Sequence, residues 1–150
     1  MGKVIKLNHR RGKLVLCNTD YICNYRADVY FYVESHHYNP IDGIDYLDIL
    51  APSFELKTFV NNILSSGKIT NLDLKVFENT YKQQLELKLA DRVLKRLENY
   101  LQQGEDIVLF CDIKEIRLNH LVAVGEYFKK QDYKVEFKFE LNSKNIDNIL

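Results

Sequence analysis

Cys111, Asp112, Asn119 and His120 fall within one short stretch, and a second polar group, Ser35, His36 and His37, precedes them in the chain. These are the side chains with chemistry to offer. A neutral imidazole accepts a proton or a hydrogen bond near neutral pH. A thiol beside an imidazole is the raw material of a nucleophilic dyad, here Cys111 with His120 as its base. Asp112, Asn119 and Ser35 add polar groups of the kind that orient a ligand. The candidate ligand-binding set is therefore Ser35, His36, His37, Asp112, Asn119 and His120, and the candidate catalytic pair is His120 with Cys111. His36 and His37 are adjacent, so on extended chain only one of them faces a crevice. No pair of these histidines has the i, i+4 spacing of a helical zinc motif, and no metal is expected.

The same residues also have a purely structural reading. In it Asn119 caps a helix, His120 is partly buried and hydrogen-bonded, and the His36-His37 pair belongs to a surface loop. Both readings remain open at the level of sequence.

Chemistry at these positions needs elements to hold it. Ile107-Val108-Leu109-Phe110-Cys111 is an apolar run without charge, and a polar loop and an amphipathic helix through Phe128 follow it. Such a strand–loop–helix unit places its loop at the carboxyl end of the strand, where ligands of open α/β sheets bind. Lys13 to Cys17 and Val29 to Val33 read as two further strands, rich in β-branched, aromatic or aliphatic residues. Lys3 to Leu7 alternates weakly and is a candidate edge strand. In Tyr133 to Phe139, Tyr133, Val135, Phe137 and Phe139 alternate with Lys134, Glu136 and Lys138, the pattern of a strand with one wet face.

Helices are expected between the second and central strands. Leu56, Phe59, Val60, Ile63 and Leu64 share one helical face, entered at Ala51-Pro52-Ser53 and closed by Gly67. Thr70-Asn71 offers the next N-cap, with Leu74, Phe77 and Tyr81 inward. Ala90, Val93, Leu94, Leu97 and Leu101 continue the pattern to Gly104, and the stretch Leu85 to Leu89 leaves open whether these two helices are continuous. Strands alternating with helices predict an α/β fold: a single Rossmann-like three-layer domain on a small, mainly parallel sheet of four to five strands. Residues 142–150 read as a polar tail.

With 150 residues the chain is the size of one domain with a real core, and its composition, 46% hydrophobic and 28% charged, is globular. The 21 basic and 21 acidic residues cancel, which argues against nucleic acid as the partner. A local basic cluster, Lys3, Lys6, Arg10, Arg11 and Lys13, has two readings, a contact to phosphates and, more common for so short a cluster, a solvated edge. No apolar run is long enough to span a bilayer and no signal peptide is evident, so a cytoplasmic location without a membrane is expected. Cys17, Cys23 and Cys111 are an odd count without CxxC spacing, and Cys17 and Cys111 close apolar runs as buried thiols do.

The order of these pieces resembles the small members of an uncharacterised family, the domain of unknown function 488. The matching pieces are Leu50-Ala51-Pro52-Ser53 before a helix, Gly67-Lys68-Ile69-Thr70 leading to Phe77 and Tyr81, and Leu97 through Gly104-Glu105-Asp106 into Ile107 to Cys111. His120 at the start of the helix leading to Tyr127-Phe128 completes the set, and the likeness covers residues 13–139. The family's Cys-His-Arg motif stands here as Asn119-His120-Leu121, and its arginine-like position after Ser35 is His36. The resemblance implies a Rossmann-like fold with part of the family's polar equipment lost.

The reading that follows is an intracellular α/β domain that binds a small anionic or nucleotide-like ligand with weak or lost catalysis; the sequence names no cofactor. Two alternatives stand beside it. One is an enzyme acting on a nucleotide-like or phosphorylated substrate through His120. The other is an interaction or accessory module with a protein partner, for which a Lys-, Asn- and Ile-rich composition of bacterial or phage type is the clue. An edge strand at Tyr133 to Phe139 would also offer a route to a homodimer.

Overall fold

The computed structural model describes residues 11–20, 25–34 and 44–139. Ser35, His36, His37, Cys23, the stretch Lys3 to Leu7, Lys6, Arg10 and the tail 142–150 lie outside the described residues. Five strands form the sheet: β1 (Lys13–Asn18), β2 (Val29–Tyr32), β3 (Asp45–Tyr46), β4 (Ile107–Cys111) and β5 (Lys134–Lys138). They lie in the order β3-β2-β4-β1-β5, every pair parallel. Among the described residues four α-helices accompany them: α1 (Phe54–Ser66), α2 (Asn71–Leu85), α3 (Lys88–Gln102) and α4 (His120–Lys129). This is the α/β domain with a parallel sheet that the alternation of strands and helices predicts.

The helices begin and end where the chain offers caps. Ser53 accepts from the Leu56 amide at the head of α1, and Gly67 ends that helix in the left-handed region at φ 72°. Thr70 and Asp73 form a reciprocal capping box at the head of α2. The question at Leu85 to Leu89 resolves as a break, because Leu87 is extended (φ −68°, ψ 151°) between α2 and α3. In α3 the buried residues Ala90, Leu94, Leu97 and Leu101 make a single stripe facing the sheet.

β4 is central and buried along its whole length. Its residues Ile107, Leu109 and Cys111 join Leu14, Leu16, Phe31 and Val33 in one core, against which all four helices place their apolar stripes. The opposite face carries Val15, Cys17, Val108 and Phe110. Among the described residues no helix packs there; Tyr25, Ala27 and Ile44, from the connections after β1 and β2, share the cover with Tyr30 and Tyr32. The third layer is thus irregular chain rather than helix wherever it is described. Topology gives the reason. The connections β1→β2 and β2→β3 run one way across the sheet and β3→β4 and β4→β5 run back, so right-handed crossovers put the two sets on opposite faces.

Two fastenings set the frame. At the amino ends of the strands, Asp106 accepts from the Lys13 amide (2.8 Å), while Asp28 accepts from the Asp106 amide (2.7 Å). On the helical face, α4 lies so close to β1 and β5 that a Cβ on Gly125 would stand 2.5 Å from Leu16 Cδ1 and 2.6 Å from Phe137 Cε1. β5 takes the edge position that its alternation predicts, with Glu136 paired to Lys13 at 3.4 Å on its wet face. Among the described residues no helix is long and apolar enough to cross a membrane.

Candidate functional site

The exit of β4 turns toward the helical face, while the exits of its neighbours β1 and β2 turn to the other. The carboxyl edge around β4 is therefore the crevice of this fold. Three segments meet there. Thr19 follows β1, Tyr32 and Glu34 end β2, and Cys111 and Asp112 end β4. The hydroxyl of Thr19 lies 2.5 Å from Asp112 Oδ1 and 3.1 Å from the Cys111 carbonyl oxygen. The phenol of Tyr32 donates to Asp112 Oδ2, and its ring stacks on Phe110 at 4.9 Å. The Asp112 amide in turn donates to Glu34 Oε2 at 2.9 Å.

Glu34 is the unusual member. Its carboxyl is buried, at 3% exposure, because the amide of Val33 bonds to Phe110 O (2.8 Å) and carries the β2–β4 pairing to the end of the strand. Lys57, one turn into α1, reaches its Oε1 at 3.4 Å. Burial raises the Glu34 pKa, and Asp112 adds repulsion; the Asp112 amide and the Lys57 ammonium oppose the rise.

Beneath Glu34 lie Cys111 and His120, both with no exposed surface. His120 opens α4, and its Nε2 lies 2.9 Å from the Val33 carbonyl oxygen. A carbonyl only accepts, so Nε2 carries the proton and Nδ1 the lone pair. That Nδ1 is buried and has no hydrogen-bond partner. The imidazole edge meets the Tyr81 ring at 5.7 Å, and the Tyr81 hydroxyl is tied to Leu50 O at 2.6 Å. Burial is the first cause that lowers the His120 pKa to about 4. Desolvation of the ring is what favours the neutral imidazole.

The Cys111 thiol donates to Asn119 Oδ1 at 3.4 Å, and burial together with the charge on Glu34 pushes its pKa far up. Burial of this kind disfavours the thiolate that a nucleophile needs, while Nδ1 of His120 keeps its lone pair. Cys17 sits on the opposite face of the sheet, pushed up to about 12 by burial. Asn119 acts as a cap: its Oδ1 accepts from the Leu121 amide and its Nδ2 donates to Ile113 O, both at 2.9 Å. This closes the head of α4 from within.

Of the residues singled out by type and spacing, Cys111, Asp112, Asn119 and His120 are brought together. Asp112 faces outward, and the other three are buried. Glu34, Lys57 and Tyr32 were missed. The available signal for Glu34 was an acid directly after an apolar strand, at the end where loops diverge. Lys57 carries no local signal, since its role depends on α1 packing across the end of β2. The cluster is acceptor-rich: Glu34, Asp112 and His120 Nδ1 accept, while Lys57 pairs with Glu34, Lys114 with Asp20 and Arg117 with Glu115. A cavity of about 380 Å³ lies between α2 and α4, lined by Phe77, Glu78, Ile116, Arg117, Glu126 and Phe137 among others.

Comparison with protein-family models, with curated proteins and with solved structures found no match for this chain.

Proposed function

We propose that the protein is a small-ligand-binding α/β domain without covalent catalysis, whose ligand is read at the carboxyl edge by Glu34, Asp112 and Lys57. The observation that carries this is the buried carboxyl of Glu34. A buried ionisable group is a poor source of stability, and an apolar residue in its place is often neutral or better. Groups that fold stability does not ask for concentrate at working sites. The acceptor-rich edge suits a ligand that donates hydrogen bonds, such as the hydroxyl and amino groups of a nucleoside-like molecule. Bare phosphate fits less well, because the Leu121 amide at the head of α4 is already taken by Asn119. The likeness to the domain of unknown function 488 family is part of the same proposal, and rests on the order and spacing of motifs across residues 13–139.

A thermal-shift screen of nucleosides, nucleotides, polyamines and simple phosphates, run with a chelator present, tests it. A ligand of the native state at about one hundred times its Kd adds about 2.7 kcal/mol and raises the melting temperature by several degrees. The hit should be lost in Asp112→Asn and Glu34→Gln. A panel without a hit, or a hit indifferent to both variants, overturns the reading.

A second reading, an interaction module, has its own observation. Ile49, Phe54 and Leu87 are exposed, Phe54 at 75%. They flank Gln84, which bonds to Ser53 N at 2.9 Å and Ala51 O at 2.5 Å. Under this reading light scattering shows association that Phe54→Ser combined with Leu87→Ser removes. A wild-type monomer at high concentration removes the case for self-association.

A further inference from the structure

We propose that Glu34, Cys111 and His120 together bind one divalent transition-metal ion of the zinc class. The inference deepens the reading of this edge as the working site. Each of the three offers one ligand atom, these atoms lie within 4.8 Å of one another, and all three residues are buried. Four-coordinate zinc, with bonds of about 2.0–2.3 Å, sets its ligands about 3.3–3.8 Å apart. The side chains therefore close by about 1 Å at the widest separation.

The second observation is the unpartnered, buried Nδ1 of His120. Metal-bound histidines donate their other ring N–H to a carbonyl or carboxylate, which fixes tautomer and ring orientation. Val33 O already does this for Nε2, leaving Nδ1 as the nitrogen with a lone pair to give. Sulfur, nitrogen and carboxylate oxygen make a mixed set that suits zinc better than magnesium or calcium. Charge closes as well. Binding releases the thiol proton to solvent, and a dication with one thiolate, one carboxylate and a neutral imidazole is neutral in sum. Lys57 and the Asp112 amide hold the Glu34 carboxylate from the outer side. Three protein ligands leave one coordination position for water or a ligand, as in catalytic rather than structural zinc sites.

The test is a cobalt(II) titration of the full chain after removal of metals by chelator. We expect one ion bound per chain, a thiolate-to-cobalt charge-transfer band with tetrahedral visible absorption, and displacement of both by zinc. The band disappears in Cys111→Ser and is retained in Cys17→Ser and Cys23→Ser, and Glu34→Gln weakens binding at least tenfold. A folded wild type without the band, or a band that survives in Cys111→Ser, overturns the proposal. Should Cys111→Ser fail to fold, nitrogen NMR of the wild type decides. Zinc must shift Nδ1 of His120 while its Nε2–H persists, and a shift confined to His9, His36 or His37 overturns the site. The chelated ligand screen above does not depend on metal, so either proposal can fail without the other.

Discussion

His120 Nε2 and the carbonyl oxygen of Val33 are 2.9 Å apart, which ties the head of α4 to the end of β2. The bond crosses from the helical layer to the sheet at the point where Glu34 leaves the strand. It fixes the imidazole in one tautomer and makes the ring part of the core. Charging that ring would cost the desolvation of a buried cation, and this sets the first prediction.

The folded-state pKa of His120 is lowered to about 4 from an ordinary 6.5. The unfolded chain therefore binds the proton more readily between these values, and stability rises with pH across that window. The contribution is full above pH 6.5 and is lost as pH falls toward 4, an amount of about 3 kcal/mol. Urea unfolding of metal-free protein at several pH values in this window checks it. His120→Asn should flatten the slope; an unchanged slope would place the titrating group elsewhere.

Glu34→Gln keeps an acceptor for the Asp112 amide and removes the buried charge. At pH 7 the variant should match the wild type or exceed it by about 1 kcal/mol, since burial already disfavours the carboxylate. A loss of several kcal/mol would instead mark the Lys57–Glu34 pair as a structural element.

Asn119→Ala removes the cap of α4 and the partners of Ile113 O and the Cys111 thiol together. Loss of the cap costs about 1 kcal/mol, and loss of the hydrogen bond to Ile113 O adds about 1 kcal/mol, for a total of about 2 kcal/mol. Denaturant unfolding with an unchanged m-value would show this, whereas a cost near zero would mean that water replaces the side chain.

Gly125→Ala sets a helix-propensity gain of about 1 kcal/mol against a Cβ that meets Leu16 and Phe137 at 2.5–2.6 Å. Overpacking of this kind costs about 1–3 kcal/mol, and the variant should melt lower than the wild type. A melting temperature equal to or above the wild-type value would show that α4 can lift from the sheet at little cost.

The sequence by itself determined the elements. Apolar runs placed β1, β2, β4 and β5, the alternation in β5 marked an edge, and Ser53, Gly67 and Thr70 marked helix ends, because periodicity and capping are local properties of a few neighbouring residues. β3 was not legible: Asp45 and Tyr46 form a strand only by pairing with Phe31 and Tyr32. The tertiary structure alone decided the strand order, the gathering of all four described helices on one face, and the composition of the site. Asp112 and His120 could be named from the loop after an apolar strand. Glu34 and Lys57 could not, since their meeting depends on β2 lying beside β4 and α1 crossing its end. The identity of His120 is written in the chain, but its buried Nδ1, its bond to Val33 and its lowered pKa arise from packing between segments far apart in sequence, which no local pattern encodes.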